Sequence, residues 1–69
     1  MTFLPGEVQF LPSGEEGGVQ VLLFGLRVGM IRCDQRTGAF LYFRRVEPDE
    51  PRDRDVDLEE LKRRVAKRP

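Results

Sequence analysis

Apolar residues in the first two thirds of the chain fall into four short segments, which predict four β-strands. These segments lie around Val8 and Phe10, at 19–25, at 26–33 and at 39–46. They are four to eight residues long, rich in β-branched and aromatic side chains, and bounded by glycine or proline, which favours strands over helices. Because short connections make sequence neighbours into spatial neighbours, the pattern predicts an antiparallel meander.

Glycine, proline and aspartate mark where these strands end and bend. Pro5 and Pro12 flank the first strand, and a strand bounded by proline fits the edge of a sheet. The segment 34–38 runs from aspartate to glycine, which is typical of a short hairpin turn. Gly25 is the residue best able to turn the chain after the second strand. Gly29 interrupts the third strand and predicts a β-bulge or a site of close backbone approach.

The last third of the chain predicts an acidic linker and one helix. Residues 48–55 contain two prolines and no apolar side chain, so we expect them to form a loop. A helix is predicted over 56–68, with Asp57 and Glu60 at capping-box spacing. Its apolar residues Leu58, Leu61 and Val65 share one face. A helix of this length is unstable alone in water, so we expect it to pack on one sheet face.

These elements together predict one small α+β domain over residues 1–69. Residues 1–47 would form a four-stranded antiparallel meander (β-β-β-β-α), 48–55 the linker and 56–68 the terminal helix. The alternative is a small SH3-like barrel plus helix, if the strands curl at their glycines. No family resemblance is evident in the motifs of the chain.

Side-chain alternation in the hairpin at 26–46 leads to the first functional hypothesis. If the strands pair near Cys33 and Ala39, Ile31, Leu41 and Phe43 form one apolar face. The opposite face would carry Val28, Met30, Arg32, Phe40, Tyr42 and Arg44. Tyr, Phe, Met and Arg are enriched in protein interfaces, and a chain this short buries only a small core. We therefore predict a non-catalytic interaction module that forms a homodimer through this second face.

Charge along the chain suggests the alternative function, weak nucleic-acid binding. The chain has 12 basic and 12 acidic residues, but the segment 27–45 holds five arginines against one acid. Arginines beside aromatic strand residues can hold phosphates while the rings stack on bases. The residues of this alternative are Arg27, Arg32, Arg44, Arg45, Lys62, Arg63, Arg64, Lys67 and Arg68. Zero net charge argues against a dedicated nucleic-acid protein.

The basic tail also has a purely structural interpretation. Acids in the first turn of a helix and bases in the last complement its dipole. Glu59 with Arg63, and Glu60 with Arg64, have the i,i+4 spacing of helical ion pairs. This interpretation needs no ligand.

Composition argues against catalysis, cofactors and metals. The chain has no histidine, and Cys33 is its one cysteine, so neither a disulfide within the chain nor a zinc site is expected. The acids at 49–57 lack the spacing of a calcium loop. We expect no enzyme activity and no cofactor.

The N-terminus resembles no signal peptide, and no apolar run is long enough to span a bilayer, so we expect a cytoplasmic protein without a membrane partner. Many charged residues and few thermolabile amides (the chain has no asparagine) are typical of heat-adapted proteins.

Overall fold

A computed structural model of the chain, which describes residues 6–14 and 17–69, contains five strands and one helix. The strands are β1 (Val8–Pro12), β2 (Val19–Leu23), β3 (Leu26–Asp34), β4 (Ala39–Arg44) and β5 (Asp53–Asp55), and the helix is α1 (Leu58–Lys67). The strands form one antiparallel sheet in the order β1-β2-β3-β4-β5. This confirms the α+β meander with a C-terminal helix. The described strands pair in linear order with β1 and β5 at the edges, so the sheet is open rather than a closed barrel. Pro5 and the centre of the loop at 15–16 lie outside the described residues.

Strand β5 lies inside the segment that the sequence predicted to be a linker. Asp53 pairs with Tyr42 and Asp55 with Phe40, while Arg54 stands between them opposite Leu41. The segment has no apolar side chain, so no hydrophobic alternation indicates a strand. Its position depends on the backbone ladder to β4 and on contacts with the helix, both of which are long-range.

Asp57, the first residue of the predicted capping box, is the N-cap of helix α1. The Asp57 side chain accepts hydrogen bonds from the backbone N–H groups of Glu59, at 3.0 Å, and Glu60, at 3.4 Å. This satisfies two of the four N–H groups that have no partner within the helix. The helix starts two residues later than predicted and ends one residue earlier. At ten residues, α1 is not long and apolar enough to cross a membrane, and the described residues contain no helix that is.

The β3–β4 hairpin forms as predicted, but its register differs by one residue from the predicted one. The Asp34 carboxylate accepts from the Arg36 N–H at 3.0 Å, and Gly38, with φ of 75°, donates its N–H to the Asp34 carbonyl at 2.7 Å. This turn sets Asp34 opposite Ala39 and Ile31 opposite Tyr42. A shift of one residue moves each side chain of a strand to the other face relative to its partner strand.

The core lies on the sheet face that α1 covers. It consists of Val8, Val21, Ile31, Tyr42, Leu61 and Val65. Partly buried residues that include Phe10, Phe40 and Val28 pack against it. Each core strand therefore contributes alternate residues to one side, as a sheet with one covered face requires.

Gly29 lies at the predicted β-bulge and is also packed closely by its neighbours in β4. Val21 pairs with Gly29, whereas the next residue, Leu22, pairs with Arg27, so Val28 is the extra residue of a β-bulge. Gly29 is also covered closely by Tyr42. A β-carbon at residue 29 would stand 2.5 Å from Cε1 and 2.7 Å from the hydroxyl of Tyr42. The absence of a side chain here lets the largest core residue lie across the strand.

Candidate anion-binding surface

The face of the sheet opposite α1 forms a distinct surface, here called the open face. The register runs across it through two rows, Leu11–Gln20–Met30–Phe43 and Arg32–Leu41–Arg54, with Leu22 next to Gln9 and Arg27. Leu11 is 45% exposed, and Leu22, Leu41 and Phe43 are half-buried. The open face therefore combines apolar side chains with arginines.

One end of the open face contains a cavity of about 190 Å³, here called the arginine pocket. It is lined by Arg27, Gly29, Met30, Arg32, Phe43, Arg44, Arg45 and Pro48. The four arginines that the nucleic-acid alternative takes from the segment 27–45 thus line the same cavity. None of these lining residues is an acid. The structure brings these arginines together from both strands of the hairpin and from the residue that follows β4.

The arginine pocket receives no ion pair from the described part of the chain. None of the four arginines forms an ion pair there. The Arg32 guanidinium lies 6.0 Å from the centroid of the Phe43 ring, at the limit of a cation–π contact. Arg45 is fixed by its backbone N–H, which donates to the Val28 carbonyl at 2.8 Å. Like charges gathered in a concave site raise the local potential and attract anions.

Three of the five tail bases have partners elsewhere, on the helix side of the molecule. Lys62 lies 3.8 Å from Glu59, and Arg63 lies 3.0 Å from Glu60, both at i,i+3 spacing. Lys62 also lies 5.7 Å from the centroid of the Phe10 ring. The i,i+4 pairs predicted from the sequence were wrong. Arg63 pairs with Glu60 at i,i+3, and Arg64 binds the aspartates of β5. These bases do not join the strand arginines.

Arg64 connects α1 to β5 through both of that strand's aspartates. Its Nε and Nη2 donate to the Asp53 carboxylate at 2.8 and 3.1 Å, and its Nη1 donates to Asp55 at 2.8 Å. Nη2 also donates to the Arg54 carbonyl at 3.0 Å. A bidentate fork of this kind is stronger and more specific than a single ion pair. The acidic segment therefore has a structural partner within the chain.

The same contacts shift the ionisation of all three groups. The hydrogen bond from Arg64 is the main cause that lowers the pKa of Asp53. For Asp55 the backbone N–H of Asp57 is the main cause of the lowered pKa, and Arg64 adds to it. The two carboxylates in turn raise the pKa of the Arg64 guanidinium.

Replacing Arg64 with glutamine is expected to lower stability at neutral pH but not at strongly acidic pH. The folded-state pKa values of Asp53 and Asp55 lie below their ordinary values, so the contacts stabilise fully above the unfolded pKa, about 3.9. Their contribution is lost as the pH falls through the folded pKa values. Urea unfolding midpoints of wild type and R64Q should therefore differ most above about pH 5 and converge as the pH falls through the lowered pKa values of the two carboxyl groups.

Arg63→Gln is the matched control for this experiment. It removes a single exposed i,i+3 pair on the same helix, which contributes little. A midpoint for R64Q that stays below that of wild type by the same amount at every pH would contradict the ion-pair interpretation.

The six residues predicted as a dimer interface do not share one face. Met30 and Arg32 lie on the open face, whereas Phe40 and Val28 pack against the core and Tyr42, 1% exposed, belongs to it. Arg44 stands opposite Gly29 and lines the end of the arginine pocket. The assumed register had placed Phe40, Tyr42 and Arg44 with Met30, and the observed register replaces them on that face with Leu41 and Phe43.

Phe43, Leu22 and Leu41 are therefore the surface residues that sequence reasoning missed. The signal for them was the length of the turn, because Asp34 closing on Gly38 sets the register of both strands. Lys67 and Arg68, the remaining tail bases, line a second cavity on the helix side. Comparison of the chain with protein-family models, with curated proteins and with solved structures gave no match.

Proposed function

We propose that this protein is a non-catalytic module that binds single-stranded nucleic acid on the open face of its sheet. The observation that supports this most is the arginine pocket, where four arginines without ion pairs in the described chain surround Phe43 and no lining residue is acidic. The arginines would hold backbone phosphates, and the Phe43 ring would stack on a base. Segregation of charge gives the open face this character although the net charge of the chain is zero.

A single strand fits this surface better than a duplex. The bases of a single strand can leave their stack and lie on an aromatic ring, whereas those of a duplex cannot. A duplex reader commonly places a helix in the major groove. Here α1 covers the opposite sheet face, and Lys62, Arg63 and Arg64 on it are already engaged by acids of the same chain.

Charge on the open face disfavours the homodimer hypothesis in its simplest form. A twofold axis that passes near the arginine pocket would bring the two pockets together, and their charges would repel one another. Self-association is a second candidate because of the apolar part of this face, where Leu11, Leu22 and Leu41 are not among the residues that line the pocket. Light scattering over a dilution series, at low and high salt, tests it, since a dimer limited by repulsion should strengthen as salt rises.

The nucleic-acid proposal is tested by fluorescence anisotropy with a labelled single-stranded oligonucleotide of about twelve nucleotides. If four arginines each neutralise one phosphate, log K should fall against log salt with a slope of about −3. Affinity would then drop about fiftyfold between about 50 and 200 mM salt. Absence of binding at about 50 mM salt or below would exclude the proposal.

Variants assign the binding to the arginine pocket. The double variant R27Q/R45Q should roughly halve the salt slope, because two phosphate contacts are lost. Arg36→Gln is its control, because Arg36 lies exposed in the β3–β4 turn and does not line the pocket. Phe43→Leu should weaken binding by about tenfold with an unchanged slope, since stacking is not electrostatic. If R36Q and a single-arginine variant of the pocket lose the same affinity, binding depends only on the overall charge of the protein, which would contradict a site at the arginine pocket.

A further inference from the structure

A second cavity of about 320 Å³, here called the phenol cavity, lies on the helix side of the sheet. It is lined by Tyr42, Arg52, Asp53, Arg64, Val65, Lys67 and Arg68. Asp53 and Arg64 bind one another, as described above. The other three charged residues, Arg52, Lys67 and Arg68, form no ion pair with any described residue. Together with the Asp53–Arg64–Asp55 contacts, these residues leave a local charge of about +2.

Tyr42, one of the residues that line this cavity, carries a buried polar group. Its side chain is 1% exposed, and its hydroxyl has no hydrogen-bond partner among the described residues. A buried hydroxyl without a partner is unfavourable and rare in folded proteins. Burial raises the pKa of this phenol, which the nearby charges of Arg44 and Arg52 lower to a smaller extent. The hydroxyl is thus protonated at neutral pH and is available as a donor.

We propose that the phenol cavity binds a phosphate group, with Arg52, Lys67 and Arg68 around its oxygens and the Tyr42 hydroxyl as a further donor. Guanidinium and ammonium groups form charge-assisted hydrogen bonds to phosphate, and a dianion offsets most of the local charge. The hydroxyl has no exposed surface in the absence of a ligand. Contact with a phosphate oxygen therefore requires that the long basic side chains shift or that one water bridges the two groups.

The size of the cavity indicates that the phosphate belongs to a larger molecule. A volume of about 320 Å³ lies at the lower end of the range for small-molecule sites. The ligand class is therefore a phosphate monoester. The negative end of the α1 dipole is close to this cavity and opposes an anion, and Lys67 and Arg68 at that end offset it. The same chemistry occurs on a free phosphorylated small molecule and at the phosphorylated end of a nucleic-acid strand.

The first test is a titration with inorganic phosphate, followed by the fluorescence of Tyr42. Tyr42 is the one tyrosine of the chain and there is no tryptophan, so the signal comes from a residue that lines this cavity. We expect a saturable change with phosphate and none with chloride at equal ionic strength. A response to phosphate that chloride reproduces would overturn the proposal.

Three variants assign the site. Arg52→Gln and Lys67→Gln should each weaken phosphate binding by about tenfold, the effect of losing one charge-assisted hydrogen bond. Arg36→Gln is the matched control and should bind phosphate like wild type, because Arg36 lies exposed in the β3–β4 turn and lines neither cavity. Tyr42→Phe should bind phosphate more weakly by calorimetry but unfold at higher urea in its absence, because it removes an unpartnered hydroxyl. Loss of binding in R36Q equal to that in R52Q would contradict the site.

A second pair of ligands identifies the source of the phosphate. A nucleoside monophosphate is compared with a short oligonucleotide that carries or lacks a 5′-phosphate. Tighter binding of the phosphorylated strand, lost in R52Q, supports a strand end as the ligand; equal binding of the monophosphate supports a free small molecule. Because these effects depend on Arg52 and Lys67 rather than on Arg27 and Arg45, either proposal can fail without the other.

Discussion

Replacing Gly29 with alanine is expected to destabilise this protein by about 3 kcal/mol or more, at the upper end of the range for overpacked cores. The added β-carbon would stand 2.5 Å from Tyr42 Cε1 and 2.6 Å from the backbone carbonyl oxygen of Phe43. Tyr42 is enclosed by the core, and the Phe43 carbonyl belongs to β4, so neither neighbour moves without breaking other contacts. A loss of this size is a large part of the stability of so small a domain.

Urea unfolding of G29A beside Gly6→Ala measures this effect. A β-carbon at Gly6 meets nothing within 4 Å, and Gly6 is not among the glycines with positive φ. The same methyl group there is expected to change the free energy of unfolding by no more than about 0.5 kcal/mol. Equal midpoints for G29A and wild type would contradict the close packing of Tyr42 on Gly29.

Some features of the fold, among them the special position of Gly29, could be predicted from the sequence. The hairpin at Asp34–Gly38 and the Asp57 cap are local signals, and each appears where it was expected. The conformation of these residues depends on their immediate neighbours along the chain, whereas the groups that pack on Gly29 come from other strands. Such features are readable without knowledge of the tertiary contacts.

Features that depend on pairing between distant residues could not be read in the same way. The β3–β4 register was assumed one residue away from its true position, which exchanged Tyr42 for Phe43 on the open face. Both residues are aromatic, so their composition gave no warning. Strand β5 was missed because Asp53 and Asp55 are fixed by Arg64, eleven and nine residues further along. Their alternation is polar and carries no hydrophobic signal.

The candidate site shows the same division. Composition indicated the strand arginines as a set, but their meeting around Phe43 follows from the register and from the bulge at Val28. The tail bases formed one group in the sequence and are divided in the structure. Lys62, Arg63 and Arg64 bind acids, whereas Lys67 and Arg68 line the phenol cavity. A run of basic residues in the sequence predicts a basic surface patch only where no acidic side chain from elsewhere in the fold pairs with it.

Replacing Leu61 with alanine is expected to cost about 2–5 kcal/mol, the range for removing a fully buried leucine side chain. Leu61 is 0% exposed and joins α1 to the core beside Val65. A helix of ten residues does not persist in water without such packing. Loss of the helix would also release Arg64 from β5 and remove Lys67 and Arg68 from the phenol cavity. The variant should therefore unfold about ten degrees or more below wild type.

Leu26→Ala is the control for this loss because it removes the same atoms from the surface. Leu26 is 72% exposed at the start of β3, and its replacement should change the free energy of unfolding by about 0.5 kcal/mol or less. Thermal unfolding followed by circular dichroism at the helix band compares the two variants with wild type. If L61A and L26A unfold at the same temperature, α1 does not contribute to the core, and the phenol cavity loses its helical wall. If L61A alone falls, the helix and the sheet fold as one unit, and phosphate binding should disappear over the same temperature range as the helical signal.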